Sequence, residues 1–176
     1  MKTEKLVKQF RQGNQLAAQQ LYQLYAKGIY NSLLRLGLEK EEAQDLLQEA
    51  FIKAFQSIAS LDEAKAFGCW LKRIALNLGL QFIRKQNRMQ SLDPLEDQMD
   101  LEEEEDDWPE IQFEDLKKAL SKLPKGCRLI FELFYLDDYN HQEIAGELQI
   151  SVSTSKSQLH YAKRLLKEQL MKHYEA

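Results

Sequence analysis

NHQEIAGELQISVSTSKSQLHYAKRLL, Asn140 to Leu166, encodes a short helix, a tight turn and a longer helix. Asn140 can cap the first helix, and Glu143 three residues on completes a capping box, in which each side chain bonds the other's backbone N–H. Ile144, Ala145 and Leu148 form that helix's buried stripe. Gln149 and Ile150 make the turn, and Ser151 caps the second helix with Thr154 in its first turn. In that helix Val152, Leu159, Ala162 and Leu166 recur at helical spacing and are expected to face inward. Ser153, Thr154, Lys156, Ser157, Gln158, Tyr161 and Arg164 are then left facing outward. A helix that enters a major groove needs such a surface, small and hydrogen-bonding near its N-terminus and cationic further along. The competing reading is an ordinary helical hairpin with a solvated polar face.

Outward from this segment, the whole chain of 176 residues reads as helical. Glycine and proline number only seven and three, and no run alternates apolar and polar residues over a strand's length. A hydrophobic content of 44% supports a real core, while 30% charged residues and a mean hydropathy of −0.53 point to a soluble protein. No apolar run approaches the roughly 20 residues that span a bilayer, so membrane insertion is not expected. The N-terminus, MKTEKLVKQF, lacks the apolar core of a secretion signal. Cys69 and Cys127 lie far apart without CxxC spacing and read as reduced thiols of a cytoplasmic protein.

A net charge of −4 argues against a nucleic-acid partner until its distribution is considered. Residues 1–90 hold 14 Lys+Arg against 8 Asp+Glu, whereas residues 91–110 hold 11 acids and no base. The acidity is local, and a DNA phosphate meets patches rather than totals. The acidic run SLDPLEDQMDLEEEEDDWPE repels itself and cannot bury a core, so it is expected to be a flexible linker. It reads as a soluble tether or as a nucleic-acid decoy for a basic surface; it lacks the glycine-centred spacing of an EF-hand. Trp108 and Pro109 either anchor its end or begin the next helix.

The N-terminal half divides into four amphipathic helices. Residues 2–12 form the first, closed by Gly13; Asn14 caps the second, with a stripe of Leu21, Tyr25, Ile29, Leu33 and Leu36, and Gly37 stops it. The third runs from about Lys40 to Ile58, with Ala43, Leu47, Ala50, Phe51, Ala54 and Phe55 inward and Glu41, Asp45, Gln48, Glu49 and Ile52 on the opposite face. Asp62 is expected to cap a fourth helix from Glu63 to Asn87, whose stripe is Phe67, Leu71, Ile74, Leu78 and Phe82. Along that helix Arg73, Asn77, Gln81, Arg84 and Arg88 share one face at three- and four-residue spacing, flanked by Lys72 and Lys85. Three arginines and two amides suit phosphates and base edges, and Trp70 and Phe67 could stack on unpaired bases. The alternative is a solvated cationic face with both aromatics in the core.

No catalytic set is visible. His141, His160 and His173 lack zinc-site spacing, no nucleophile sits in a recognisable motif, and glycines are too sparse for a phosphate loop. His141 reads as a first-turn surface residue and His160 as an exposed one. No enzyme activity, cofactor, metal or small-molecule substrate is expected.

DLLQEAFIKAF (Asp45 to Phe55) and FGCWLKRIALNLGLQFIRKQNR (Phe67 to Arg88) closely resemble the N-terminal domain of bacterial RNA polymerase sigma factors. ISVSTSKSQLHYAKRLL resembles the helix–turn–helix of their C-terminal domain. With two such domains and a short linker, the chain is similar to the compact extracytoplasmic-function group of the sigma-70 family. The resemblance implies an all-α protein of two small helical domains, residues 1–90 and 111–176, joined by the acidic linker 91–110. Asp45, Gln48, Glu49 and Lys53 would grip the clamp helices of core polymerase. Trp70, Arg73, Asn77, Arg84 and Arg88 would open the −10 element and hold its non-template strand. Ser153, Thr154, Lys156, Ser157, Gln158 and Tyr161 would read the −35 duplex. The linker would thread toward the polymerase active site and RNA exit path, its charge mimicking nascent RNA. The resemblance implies core RNA polymerase, promoter DNA and an anti-sigma factor as partners.

Some positions depart from the family's habit. Gly68 stands where a larger residue is common, Leu76 and Gln81 replace Arg and Asp, and Gln149 replaces the turn glycine. Ser155 replaces a valine, which should loosen packing between the two helices, and Gln158 and Tyr161 replace frequent arginines. Opening DNA costs roughly 1.4 kcal/mol per base-pair step, and each base–aromatic contact returns about 1–3 kcal/mol, so a small domain needs a larger partner. Two other readings compete: a stand-alone helix–turn–helix regulator, and a sequestered sigma-like adaptor without promoter activity.

Overall fold

The computed structural model describes residues 2–86 and 112–174, and every regular element among them is helical. The chain divides into two compact units, Met1–Gln86 and Asn87–Ala176. The acidic segment 91–110, with Trp108 and Pro109, lies outside the described residues, as does Arg88.

The first unit contains α1 (Lys2–Arg11), α2 (Gln15–Arg35), α3 (Lys40–Gln56) and α4 (Phe67–Lys85). Gly13 and Gly37 end α1 and α2 at φ 93° and 84°, backbone that a side chain would strain. Asn14 caps α2 as expected, its Oδ1 accepting from Leu16 N–H at 3.0 Å. Asp62 does not cap α4. The chain instead makes two one-turn 3-10 helices, Ile58–Ser60 and Ala64–Ala66, and α4 begins at Phe67 after Ala66. The cause lies on α1: the Arg11 guanidinium donates to Ile58 O at 2.9 Å and to Leu61 O, tying this stretch across the first helix.

The core joins Leu21, Ile29 and Leu33 of α2 to Leu46, Leu47, Phe51 and Ala54 of α3 and to Phe67, Leu71, Ala75, Leu76, Leu78, Leu80 and Ile83 of α4. The α4 stripe is wider than expected and rotated, leaving Ile74 and Phe82 half-buried, because α4 packs against α1, α2 and α3 rather than one neighbour. Tyr25, Leu36 and Phe55 are likewise half-buried. Gly68 acquires a reason here. A Cβ at this position would lie 2.7 Å from Tyr25 Cε1. That ring is held edge-on by Phe67 at 5.5 Å, and its hydroxyl bonds Thr3 Oγ1 at 2.7 Å.

The second unit contains α5 (Phe113–Ser121), α6 (Lys125–Tyr135), α7 (His141–Leu148) and α8 (Val152–Tyr174), with α8 packed on all three others. The Asn140 capping box forms: Glu143 N–H donates to Asn140 Oδ1 at 3.0 Å, and Asn140 N–H to Glu143 Oε2 at 2.9 Å. Gln149 closes α7 at φ 54°, ψ 44°. This left-handed backbone costs a non-glycine residue about 1–2 kcal/mol. Ser151 caps α8 by accepting from Thr154 N–H at 2.9 Å. Val152 is not inward but 38% exposed; the buried stripe of α8 starts at Ser155 and continues through Leu159, Ala162, Leu166 and Leu170.

Candidate functional site

The α3 surface follows from how that helix is buried. Its inner side is apolar throughout, from Ala43 to Ala54, and packs on α2 and α4. Asp45, Gln48, Glu49, Ile52 and Lys53 are consequently all exposed on the other side. Lys53 Nζ meets Glu49 Oε1 at 2.9 Å, with both side chains about half exposed. An exposed i,i+4 pair of this kind contributes only about 0.3–0.5 kcal/mol to stability. Ile52, 56% exposed, stands out as an apolar residue amid these polar groups.

On α4 the residues Arg73, Asn77 and Arg84 are half-buried, each engaged in interactions within the protein, and Gln81 is exposed. Trp70 is half-buried with its ring 6.1 Å from that of Phe67. Phe67 itself is completely buried, stacked with Phe55 and edge-on to Tyr25, so it is core and not a stacking surface for bases. The four residues Trp70, Arg73, Asn77 and Arg84 follow one another at three-, four- and seven-residue steps along one helix. Such steps keep them on adjoining turns of one side.

The α8 surface differs from the expectation. Ser153 and Lys156 are exposed, and Thr154, Ser157 and Tyr161 are half-buried, with the Arg164 guanidinium 5.1 Å from the Tyr161 ring centroid. Ser153, Ser157, Tyr161 and Arg164 thus form an outward ridge at four-, four- and three-residue spacing. Gln158 does not belong to it. It is 4% exposed and turned inward, where Cys127 Sγ donates to its Oε1 at 2.7 Å. Ser155, fully buried, shares a hydrogen bond of 2.9 Å with His141 Nδ1. The expectation that Ser155 loosens the helix pair is therefore replaced by a polar tie between them.

His141 is not a plain surface residue either. Its ring stacks on Phe134 with centroids 4.8 Å apart, and burial, reinforced by nearby Lys156, holds its pKa below the ordinary histidine value. Burial pushes the Cys127 thiol up to about 11, so it is a protonated donor at neutral pH. His160 is half-buried rather than exposed. Both Cys69 and Cys127 are thiols. Sequence reasoning missed Cys127 and His141 as supports of the long helix. Ser155 was findable: with Leu159, Ala162 and Leu166 it keeps the four-, three- and four-residue rhythm of the buried stripe.

Residues 21–89 match the family described as Sigma-70 region 2, and residues 113–166 match Sigma-70, region 4. The ECF RNA polymerase sigma factor SigW of Bacillus subtilis is 32% identical over 97% of this chain and 97% of its own. SigM of the same organism, another ECF RNA polymerase sigma factor, is 30% identical over 84% of this chain and 91% of its own. The fold is shared with CnrH, solved in complex with the cytosolic domain of CnrY, at 21% identity and a TM-score of 0.54 over 98% of this chain and 99% of that one. With both sigma-70 regions present in order and a full-length relative at this identity, the chain belongs to the extracytoplasmic-function RNA polymerase sigma factors.

Proposed function

We propose that the chain works as a sigma factor by dividing three contacts among three helices. In this reading residues 1–90 bind core polymerase and open the −10 element, residues 111–176 read the −35 element, and residues 91–110 link the two. Asp45, Gln48, Glu49 and Lys53 on α3 meet polymerase. Trp70, Arg73, Asn77, Arg84 and Arg88 on and after α4 engage the −10 strand, and Ser153, Thr154, Lys156, Ser157 and Tyr161 on α8 face the −35 groove. Polymerase performs the chemistry in the cytoplasm. An inhibitory protein is a further partner in this reading, by analogy with CnrH, whose solved structure holds the cytosolic domain of CnrY.

The observation that best supports this reading is the exposed α3 face. There Ile52 is exposed beside the polar Asp45, Gln48, Glu49 and Lys53, an apolar residue within a polar surround as interfaces use. Phosphate contacts then supply salt-dependent affinity, and the hydroxyls of α8 supply sequence choice. The test is Arg73→Ala combined with Arg84→Ala in the holoenzyme. Open complexes, read by permanganate reactivity of unpaired thymines, should fall about tenfold or more, since each lost hydrogen bond from a charged group is worth about 1.5–3 kcal/mol. Polymerase binding should change little; an equal loss of polymerase binding would refute the assignment of this face.

A further inference from the structure

Recognition by a groove-reading helix depends on the angle at which it is presented, because hydrogen bonds to base edges fail when donors move by about an ångström or tilt strongly. The hydrophobic driving force is non-directional, so hydrogen bonds between helices add orientation-dependent restraints to their packing. The α8 helix carries two directional restraints in its first two turns. Ser155 is tied to His141 of α7 at 2.9 Å, and Gln158, three residues on, is tied to Cys127 of α6 at 2.7 Å. The partners lie on two different helices, 14 and 31 residues away in sequence. Both α8 residues are buried, at 0% and 4% exposure, whereas Ser153 is exposed and Ser157 and Tyr161 are half-buried.

We propose that Gln158 and Ser155 are positioning residues for −35 recognition: through Cys127 and His141 they fix the roll of α8 and thereby where Ser153, Thr154, Lys156 and Ser157 meet the bases. The buried amide is then not a base reader, and promoter choice depends on two residues, Cys127 and His141, that lie on other helices. Cys127 is especially informative, being 4% exposed and out of reach of any duplex. The inference rests on the proposal that α8 reads the −35 duplex.

The experiment uses full-length chain with core polymerase, transcribing a panel of its promoters that differ by single base pairs in the −35 element. Cys127→Ala, Cys127→Ser, Gln158→Met and the Cys127→Ala/Gln158→Met pair are compared with the unmodified chain. Cys127→Ala and Gln158→Met should each reduce discrimination by about tenfold, spread over several neighbouring base pairs. The pair should be no worse than Gln158→Met alone, because that variant has already lost the Cys127 tie. Cys127→Ser, which keeps a donor, should restore most of the discrimination. Should Cys127→Ala fail to fold, Gln158→Met tests the same tie from the other side. An effect of Gln158→Met confined to one base pair, with Cys127→Ala silent, would show Gln158 reading a base and overturn the proposal. Unchanged discrimination in all four variants would overturn it equally. Lys156→Ala and Ser157→Ala separate the underlying reading: if they too leave −35 preference intact, α8 is not the reader and the positioning role falls with it.

Discussion

The α3 and α8 helices both present polar side chains to a proposed macromolecular partner, yet they are built on different principles. Every buried residue of α3 is apolar, so its exposed face is simply what remains. The buried side of α8 includes Ser155 and Gln158, and its exposed face is what two internal hydrogen bonds leave outside. On α3 a polar residue is a candidate contact. On α8 it can equally be a structural one, and only its partner on another helix decides. The difference lies in what α8 meets: its buried arc takes in Ser155 and Gln158 where α7 and α6 offer the polar partners His141 and Cys127.

Charge reversal on α3 is the strongest way to break this contrast. Asp45→Lys with Glu49→Lys should weaken binding to core polymerase about a hundredfold, since like-charge juxtaposition at an interface costs several kcal/mol. The melting temperature should hardly move, because both residues are exposed. Fluorescence anisotropy of labelled chain titrated with polymerase measures the first quantity; unchanged affinity would remove α3 from the interface.

A smaller effect sharpens the same contrast through stability alone. Ser155→Ala should cost about 1–2 kcal/mol, since it leaves the partly buried His141 nitrogen without its partner. Gln48→Ala, on the exposed α3 face, should stay within about 0.5 kcal/mol. Urea denaturation of the full chain compares them, and equal costs would erase the distinction between the two helices.

The smallest expected effect concerns pH. Burial lowers the His141 pKa in the folded chain below its ordinary value of 6.5, so the unfolded chain takes up the proton first as pH falls. Stability should therefore be level above about 6.5 and decline as pH drops through the lower folded value. His141→Gln should flatten that decline in denaturation curves taken across pH 5 to 8. An identical pH slope in the variant would mean that His141 is not the group responsible.

What was legible in the chain was whatever local spacing and hydropathy control. The Asn140–Glu143 capping box, the Asn14 cap, the turns at Gly13 and Gly37 and the outward positions Glu41, Asp45, Gln48, Glu49 and Ile52 of α3 are visible in the sequence and present in the structure. What was hidden depends on distant partners. The Asp62 signal for a helix start is overridden by Arg11, which reaches carbonyls 47 and 50 residues away. Gln158 looks outward by hydropathy because nothing local announces a thiol donor 31 residues earlier. Phe67 sits on the inward stripe of α4 yet also reads as a stacking partner beside Trp70, and only its complete burial next to the close fit of Gly68 against Tyr25 decides for core.

Run-off transcription on fragmented genomic DNA, with purified bacterial core polymerase in the presence and absence of the chain, reads promoter-directing activity itself. The expected result is a set of new 5′ ends that appear only with the chain and share upstream −10 and −35 patterns. A stable complex with core polymerase that yields no new start would contradict promoter-directing activity and leave a sequestered adaptor. Absence of both the complex and any new start would contradict the polymerase-binding role of α3 as well.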